Sequence, residues 1–226
     1  QVMREQTLAS VPLFVFMGLL LEQAGLLERL FRAVQLGLAR LHGSLYIAVM
    51  FCATIFAAAT GIVGASVTLL GIMAARAMDR SKYDVQLSAG IITAGGTLGI
   101  LIPPSVMLVV MGPVIGVPVT DLFAGALFPG LAMAGIYTVY ALVRCYFNPA
   151  LGPALPEHEH ADSKLEILKE FLQGLVPPAV LVLASLGSIL FGFATPTEGA
   201  AMGAAGSLVL TVMYRRLTRK LLYDSV

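Results

Sequence analysis

Two adjacent prolines interrupt a long apolar stretch near the middle of the chain. Residues 85–117 carry no Asp, Glu, Lys or Arg, and Pro103 and Pro104 lie near the centre of this stretch. Proline removes a backbone donor, clashes with the preceding helical turn and disfavours helix at the residue before it. We therefore predict a helix that unwinds locally, freeing carbonyls near residues 98–102. Freed carbonyls suit a cation, and the amides that begin the next half-helix suit an anion.

A second polar interruption lies in the preceding apolar stretch, residues 44–75. The run TGIVGAS at residues 60–66 supplies the hydroxyls of Thr60 and Ser66 and flexible backbone at its two glycines. Small and hydroxyl residues also serve plain helix packing, and a proline pair also forms structural kinks, so both structural interpretations stay open. Two consecutive broken elements favour a binding site. Neither contains a charged residue, so dipoles, hydroxyls and co-bound ions would have to meet a charged solute.

Three other polar groups have structural explanations. Thr195, Pro196 and Glu198 have the spacing of a capping box with proline at the first helical position, which we favour over a site role for Glu198. Asp121 is predicted to cap the helix that follows it. The run EHEH at residues 157–160 is predicted to be a solvated loop, with metal binding as the minor alternative.

Enzymatic chemistry finds no support. Cys52 and Cys145 lie in or beside apolar stretches without metal-ligand spacing, so we predict free, buried thiols. An intramembrane serine protease would need a histidine beside a serine such as Ser66. The histidines and the aspartates instead lie in connections or at segment ends: His42, His158, His160, Asp79, Asp84, Asp121, Asp162 and Asp224.

The composition is that of a membrane protein. Of 226 residues, 58% are hydrophobic and 12% are charged, whereas soluble domains have about 25% charged residues. The net charge of +1 gives no indication of nucleic-acid binding. We predict an all-α, polytopic transmembrane fold, because apolar runs of about 20 residues span a bilayer. The candidate segments are residues 8–23, 44–75, 85–117, 122–143, 175–193 and 200–214.

The distribution of basic residues orients these segments. Connections at residues 28–44, 76–84 and 144–169 and the C-terminal tail carry Lys and Arg, whereas residues 116–121 and 192–199 carry none. The positive-inside rule places the basic connections in the cytoplasm. Residues 44–75 then enter and leave on the same side, and about 32 residues are too few for two full spans and a turn.

We therefore predict a re-entrant helical hairpin with its tip at residues 60–66. Non-helical backbone at membrane depth must be buried in protein or line a cavity. Residues 22–41 place apolar side chains at helical spacing and predict an amphipathic helix able to lie along the membrane surface.

Several short motifs, in this order, resemble the large membrane subunit of tripartite ATP-independent periplasmic (TRAP) transporters. They are PLFVFMG at residues 12–18, ATIF at 53–56, GIVGAS at 61–66, LGILIPPS at 98–105, DLFAG at 121–125, FPG at 128–130 and ATPTEGAA at 194–201. The resemblance covers nearly the whole chain.

The resemblance implies a sodium-driven, elevator-type importer of the bacterial inner membrane. Such systems take up organic anions, for example C4-dicarboxylates, keto acids or sialic acid, with a small membrane subunit and a periplasmic substrate-binding protein. No cofactor is expected apart from sodium as the coupling ion, and no metal beyond sodium. The family fold has two inverted repeats, each with a hairpin and a broken helix. The implied sodium- and substrate-binding positions are Thr60, Gly61, Gly64, Ser66, Gly96, Thr97, Gly99, Pro103, Pro104 and Ser105.

The chain departs from the family pattern in length and at the tip. Family subunits are about twice as long, so we expect the first repeat at residues 1–174, the start of the second at 175–226, and a beginning at Gln1 inside a longer protein. The tip reads TGIVG where a Ser-Gly-Ser-like run is typical. Two alternatives stay open: a sodium/dicarboxylate-type symporter that needs no binding protein, and a non-transporting membrane scaffold subunit.

Overall fold

The computed structural model of the protein describes residues 6–39, 41–61, 63–154 and 164–214. All regular structure in these ranges is helical, in agreement with the predicted all-α class. The helices are α1 (Ser10–Gln23), α2 (Leu26–Gly37), α3 (Ser44–Thr60), α4 (Val63–Arg80), α5 (Val85–Leu101), α6 (Val106–Ile115), α7 (Val119–Phe147), α8 (Lys164–Leu190) and α9 (Pro196–Met213).

Helix length and composition agree with a membrane protein. Helix α7 and residues Leu168–Leu190 of α8 are each long and apolar enough to cross a bilayer. Two bent pairs, α1 with α2 at 56° and α5 with α6 at 44°, raise the number to four if each pair forms one span. The predicted polytopic helical fold is confirmed.

Helices α3 and α4 form the predicted hairpin. They have 17 and 18 residues, so each is about 26 Å long at 1.5 Å per residue, slightly shorter than the roughly 30 Å hydrocarbon core of a bilayer. Gly61 reverses the chain in the left-handed conformation, with φ of 60°, and its amide closes the last turn of α3 on the Ala57 carbonyl at 3.0 Å. Because this cap needs little chain, α4 already begins at Val63. The predicted non-helical tip of residues 60–66 was therefore too long.

The base of the hairpin is tied to two other helices by the turn that follows α7. The amide of Gly43 donates to the Gly152 carbonyl at 2.8 Å, and the amide of Asp84 donates to the Leu151 carbonyl at 3.1 Å. The hydroxyl of Tyr46 donates to the same Leu151 carbonyl at 2.8 Å. We call these five residues the basal clamp. It joins the start of α3, the start of α5 and the end of α7.

Helix α2 confirms the amphipathic pattern with shorter bounds than predicted. Gly25, with φ of 70°, turns the chain between α1 and α2. Leu26, Leu30 and Phe31 are buried, and α8 covers them closely: a Cβ atom on Gly174 would lie 2.7 Å from the Leu30 amide nitrogen. The apolar face of α2 is thus packed against protein.

Helix α8 contains a second proline pair, Pro177-Pro178, and runs through it without a break. Pro177 has no N–H to donate to the Gln173 carbonyl four residues earlier. The hydroxyl of Tyr214, at the end of α9, donates to that carbonyl at 3.1 Å. A side chain from the neighbouring helix therefore replaces the missing backbone donor.

The helix caps give one confirmation, one correction and one addition. Thr195 and Glu198 form the predicted capping box, and the Thr195 amide, then its hydroxyl, lower the pKa of the Glu198 carboxyl. Asp121 does not cap α7, because extended Pro118 occupies the N-cap and leaves Asp121 inside the first turn. Asp84, by contrast, caps α5 by accepting the Leu87 amide at 2.8 Å.

Candidate functional site

The hairpin tip and the proline break meet in the fold. A Cβ atom placed on Gly61 would collide with the Pro104 carbonyl oxygen and lie 3.3 Å from the Cα of Ser105. Only glycine fits here, since the site lacks space and the positive φ disfavours any L side chain. The structure thus brings together two elements that the sequence analysis paired only by their order in the chain.

The break itself is short and buried. Helix α5 ends at Leu101, and the Ile102 amide still donates to the Leu98 carbonyl at 2.8 Å. Ile102 and Ser105 are extended, and Val106 begins α6. Because Pro103 and Pro104 have no N–H, the carbonyls of Gly99 and Ile100 lack their helical donors. The Leu98 carbonyl keeps its helical donor, so the predicted freed carbonyls begin at Gly99 and not at Leu98.

Ser105 supplies a buried hydroxyl, unpartnered within the described residues, at the junction. Its side chain is fully buried, and its hydroxyl oxygen has no hydrogen-bond partner in the described parts of the chain. A buried hydroxyl without a partner costs about 1–3 kcal/mol. It lies where α6 begins, at the end where helix amides lack intrahelical acceptors. A hydroxyl in this position suits a bound cation or polar solute.

The predicted residues at the tip fall into two groups. Thr60 is buried beside Gly61, and its hydroxyl donates to the Phe56 carbonyl at 2.9 Å. Gly64 lies in the first turn of α4, exposed, with open space where a Cβ would be. Ser66 lies two residues further along α4, and its side chain is outside the described part of the structure. Gly64 and Ser66 therefore belong to a regular helix and not to a flexible tip.

On α5, the predicted Gly96 and its neighbour Gly95 pack closely against the hairpin. A Cβ atom on Gly96 would collide with the Val67 side chain of α4, and one on neighbouring Gly95 would lie 2.9 Å from Ala53 of α3. Gly99 is buried one turn before the break. The Thr97 hydroxyl donates to the Ala94 carbonyl at 2.7 Å. Small residues let the helix backbones approach closely, as is typical of membrane helix packing.

Helices α1 and α7 close the junction from two further sides, which the sequence analysis missed. A Cβ atom on Gly18 would lie 2.8 Å from the Cα of Thr60, so α1 touches the tip. A Cβ atom on Gly130 would lie 3.3 Å from the Leu101 carbonyl oxygen, so α7 covers the break. The sequence signal for these contacts is the presence of glycines in apolar helices. Composition does not show which neighbouring helix each glycine faces.

The site offers neutral oxygen ligands. None of the ten predicted positions carries a charged side chain. In the described residues, His, Cys, Asp and Glu form no group of three or more that could hold a metal ion. The run at residues 157–160 lies outside the described part of the chain. The arrangement can offer backbone carbonyls and a hydroxyl to a cation and helix amides to an anion.

Within the described ranges, no histidine lies at the junction. His42 lies with Leu142, Tyr146 and Phe147 beside the end of α7, next to the basal clamp and at the opposite end of α3 from Gly61. Cys52 and Cys145 are free and buried, as predicted.

Comparison with known proteins gives a consistent assignment. The family described as "Tripartite ATP-independent periplasmic transporter, DctM component" matches residues 1–226. The chain is 33% identical over 212 residues to the C4-dicarboxylate TRAP transporter large permease protein DctM of Vibrio cholerae, covering 92% of this chain and 45% of that protein.

Relatives named for other solutes are similar over the same extent. The sialic acid TRAP transporter large permease protein SiaM of Vibrio cholerae is 31% identical, covering 94% of this chain and 48% of that protein. The ectoine/5-hydroxyectoine TRAP transporter large permease protein UehC of Ruegeria pomeroyi is 26% identical, covering 98% and 50%. The chain spans about half the length of the curated relatives it matches.

These relatives are transport permeases and not enzymes, which confirms the prediction that the chain has no enzymatic role. The matched region contains both the hairpin and the proline break. The chain is a membrane protein that belongs to the DctM component family of the tripartite ATP-independent periplasmic transporters.

Proposed function

We propose that this chain forms the hairpin-and-break half of the large permease of a sodium-coupled importer of organic anions. One observation carries the proposal: Gly61 at the hairpin tip lies directly against the Pro104 carbonyl and Ser105 at the helix break. Two broken elements in contact concentrate carbonyls, a hydroxyl and helix amides at one buried place. Ion and solute sites in transporters are typically built this way.

The absence of fixed charge gives a physical reason for coupling. The candidate ligands are the carbonyls of Gly99 and Ile100 and the hydroxyl of Ser105, all neutral. A sodium ion held by them would bring a full positive charge to the start of α6. An anionic solute placed there would gain from that charge and from the helix dipole. Each ligand would then favour binding of the other, which is the thermodynamic requirement for coupled transport.

The solute class is proposed from the relatives. Two of their names specify C4-dicarboxylate or sialic acid, and both solutes carry carboxylate groups. We propose a carboxylate-bearing solute for this chain. The proposed partners are a small membrane subunit and a periplasmic substrate-binding protein, and the proposed location is the bacterial inner membrane.

The packing suggests which parts would move together. The basal clamp ties α3, α5 and α7 to one another, whereas α1 packs along α9 and α2 packs along α8. We propose that the clamped helices carry the site past a scaffold built from α1, α8 and α9. Gly18 of α1, close to Thr60, would then lie on the sliding surface.

The test is uptake of labelled dicarboxylates and sialic acid into proteoliposomes. They hold the full-length permease and its small subunit, with an inward sodium gradient, with and without the cognate binding protein. We expect uptake that requires both sodium and the binding protein. Sodium-driven uptake without the binding protein would favour the symporter alternative. No ion-dependent uptake or binding would favour a scaffold subunit and overturn the proposal.

A further inference from the structure

A cavity away from the junction opens between α5 and α7. Its volume is about 620 Å³, within the range of small-molecule sites. Both helices reach it from the end where α5 begins and α7 ends, which is the end that the basic connections assign to the cytoplasm. The side chains that line it are of two kinds, polar at this end and mostly apolar further along.

The polar end carries one charge of each sign. Arg144 is exposed, and its guanidinium carbon lies 6.0 Å from the centre of the Tyr140 ring. In the described parts of the chain, Arg144 forms no ion pair. Asp84 uses one carboxylate oxygen to accept the Leu87 amide at 2.8 Å, and a carboxylate has a second oxygen for another donor. Gln86 adds an exposed amide at the same end.

The apolar part has the depth of one leaflet. From Asp84 to Ala94 the cavity follows ten residues of α5, about 15 Å at 1.5 Å per residue, and the hydrocarbon core of a bilayer is about 30 Å thick. Ile91 and Ile136 line this part. Gly90 is exposed there with nothing within 4 Å of its missing Cβ, so the wall is open at that point.

We propose that this cavity binds one zwitterionic phospholipid of the cytoplasmic leaflet, of the phosphatidylethanolamine type. Arg144 binds the phosphate, Asp84 binds the ammonium group, and an acyl chain follows the groove past Gly90. The polar end is complementary in charge to such a headgroup, because a positive and a negative side chain lie at one end and the headgroup carries both charges. A purely anionic headgroup would satisfy Arg144 but lie close to the Asp84 carboxylate.

The test measures lipid binding directly and does not depend on transport activity. The full-length permease, delipidated in detergent, is titrated with phosphatidylethanolamine or phosphatidylglycerol, and bound lipid is counted by native mass spectrometry. We expect one tightly bound phosphatidylethanolamine per chain and weaker binding of phosphatidylglycerol. Equal or tighter binding of phosphatidylglycerol would overturn the zwitterionic assignment.

Charge variants test the polar end. Arg144→Gln should weaken phosphatidylethanolamine binding by about five-fold, the effect of one basic residue near a lipid surface. Asp84→Asn should also weaken it while keeping a residue able to cap α5. Arg80→Gln is the matched control, because Arg80 is exposed at the end of α4 but does not line the cavity. Equal losses in Arg144→Gln and Arg80→Gln would overturn the proposal.

A steric variant tests the apolar part. Gly90→Phe should fill the groove and abolish measurable binding. Gly135→Phe is its control, since Gly135 is also helical and exposed with nothing within 4 Å, but lies outside the cavity. Monodisperse elution of both variants checks folding. Unchanged lipid binding by monodisperse Gly90→Phe would contradict the proposed acyl path.

Discussion

The two proline pairs of this chain have opposite effects on their helices. At Pro103-Pro104 the helix ends, the chain runs extended and a new helix begins at a 44° angle. At Pro177-Pro178 the helix continues to Leu190. The same dipeptide in two apolar stretches therefore gives a break in one case and an uninterrupted helix in the other.

The difference lies in what surrounds the carbonyls that lose their donors. In α8, Tyr214 donates to the Gln173 carbonyl, and Gly174 packs against the α2 backbone. At the other pair, the hairpin tip packs against the break itself, and the Ser105 hydroxyl is buried without a partner in the described residues. A proline pair thus removes two backbone N–H donors. Whether the helix continues or a polar junction forms depends on the side chains and helices packed around the pair.

The sharpest test of this comparison replaces each proline pair by alanines. Pro103→Ala with Pro104→Ala restores donors for the Gly99 and Ile100 carbonyls and should lower sodium-dependent uptake at least about ten-fold, or about 1.4 kcal/mol. Pro177→Ala with Pro178→Ala should leave uptake near wild type. Uptake in proteoliposomes at matched protein levels measures both. Normal uptake and sodium dependence in the first variant would contradict the proposed role of the break.

The next largest effect is expected at the tip. Gly61→Ala forces a left-handed backbone at a cost of about 1–2 kcal/mol and adds a collision with the Pro104 carbonyl. We expect a lower melting temperature in detergent and a smaller stabilisation by sodium. Gly64→Ala is the control: this helical glycine has open space around it, and alanine should stabilise it by about 0.5–1 kcal/mol. Equal behaviour of the two variants would show that the tip contact is unimportant.

Ser105→Ala tests whether the Ser105 hydroxyl is a sodium ligand or only a buried group without a hydrogen-bond partner. Without sodium, removal of the buried unpartnered hydroxyl should leave the protein as stable or about 1 kcal/mol more stable. The rise in melting temperature that sodium produces should be smaller in this variant than in the wild type. Ser207→Ala is the control, because that buried hydroxyl already donates to the Ala204 carbonyl. A full sodium response in Ser105→Ala would exclude this oxygen as a ligand.

The smallest effect is expected at Pro177-Pro178, where Tyr214 replaces the missing backbone donor. Tyr214→Phe removes the donor to the Gln173 carbonyl and should cost about 1 kcal/mol in the free energy of unfolding. In a Pro177→Ala background the backbone amide can serve that carbonyl, so the same change should cost much less. A double-mutant cycle in thermal or denaturant unfolding gives the coupling. Additive effects would mean that Tyr214 does not compensate for Pro177.

Features fixed by local chemistry were predictable from the sequence. The break at Pro103-Pro104 follows from missing donors, the hairpin from its length and flanking charges, and the capping box from the spacing of Thr195 and Glu198. At the junction, the order of the broken elements indicated a site. The contact of Gly61 with Pro104 itself depends on how the helices pack.

Features fixed by distant neighbours were not predictable. Tyr214 is 41 residues from the carbonyl that it serves, so nothing local distinguishes Pro177-Pro178 from a break. Asp84 and Asp121 look alike in sequence, but only Asp84 occupies the extended position before its helix. The contacts of Gly18 and Gly130 likewise depend on which face each helix presents.

The basal clamp holds the base of the hairpin, so a rotation of the clamped helices about it displaces the opposite end. With α3 and the start of α5 bound to the turn after α7, rotation about the clamp moves Gly61 most and Tyr46 least. Over an arm of about 26 Å, a rotation of about 10° displaces the tip by roughly 4–5 Å. That distance exceeds the diameter of a water molecule. A small rotation of the clamped helices about their base would therefore move the junction past the scaffold helices by more than the width of a water molecule.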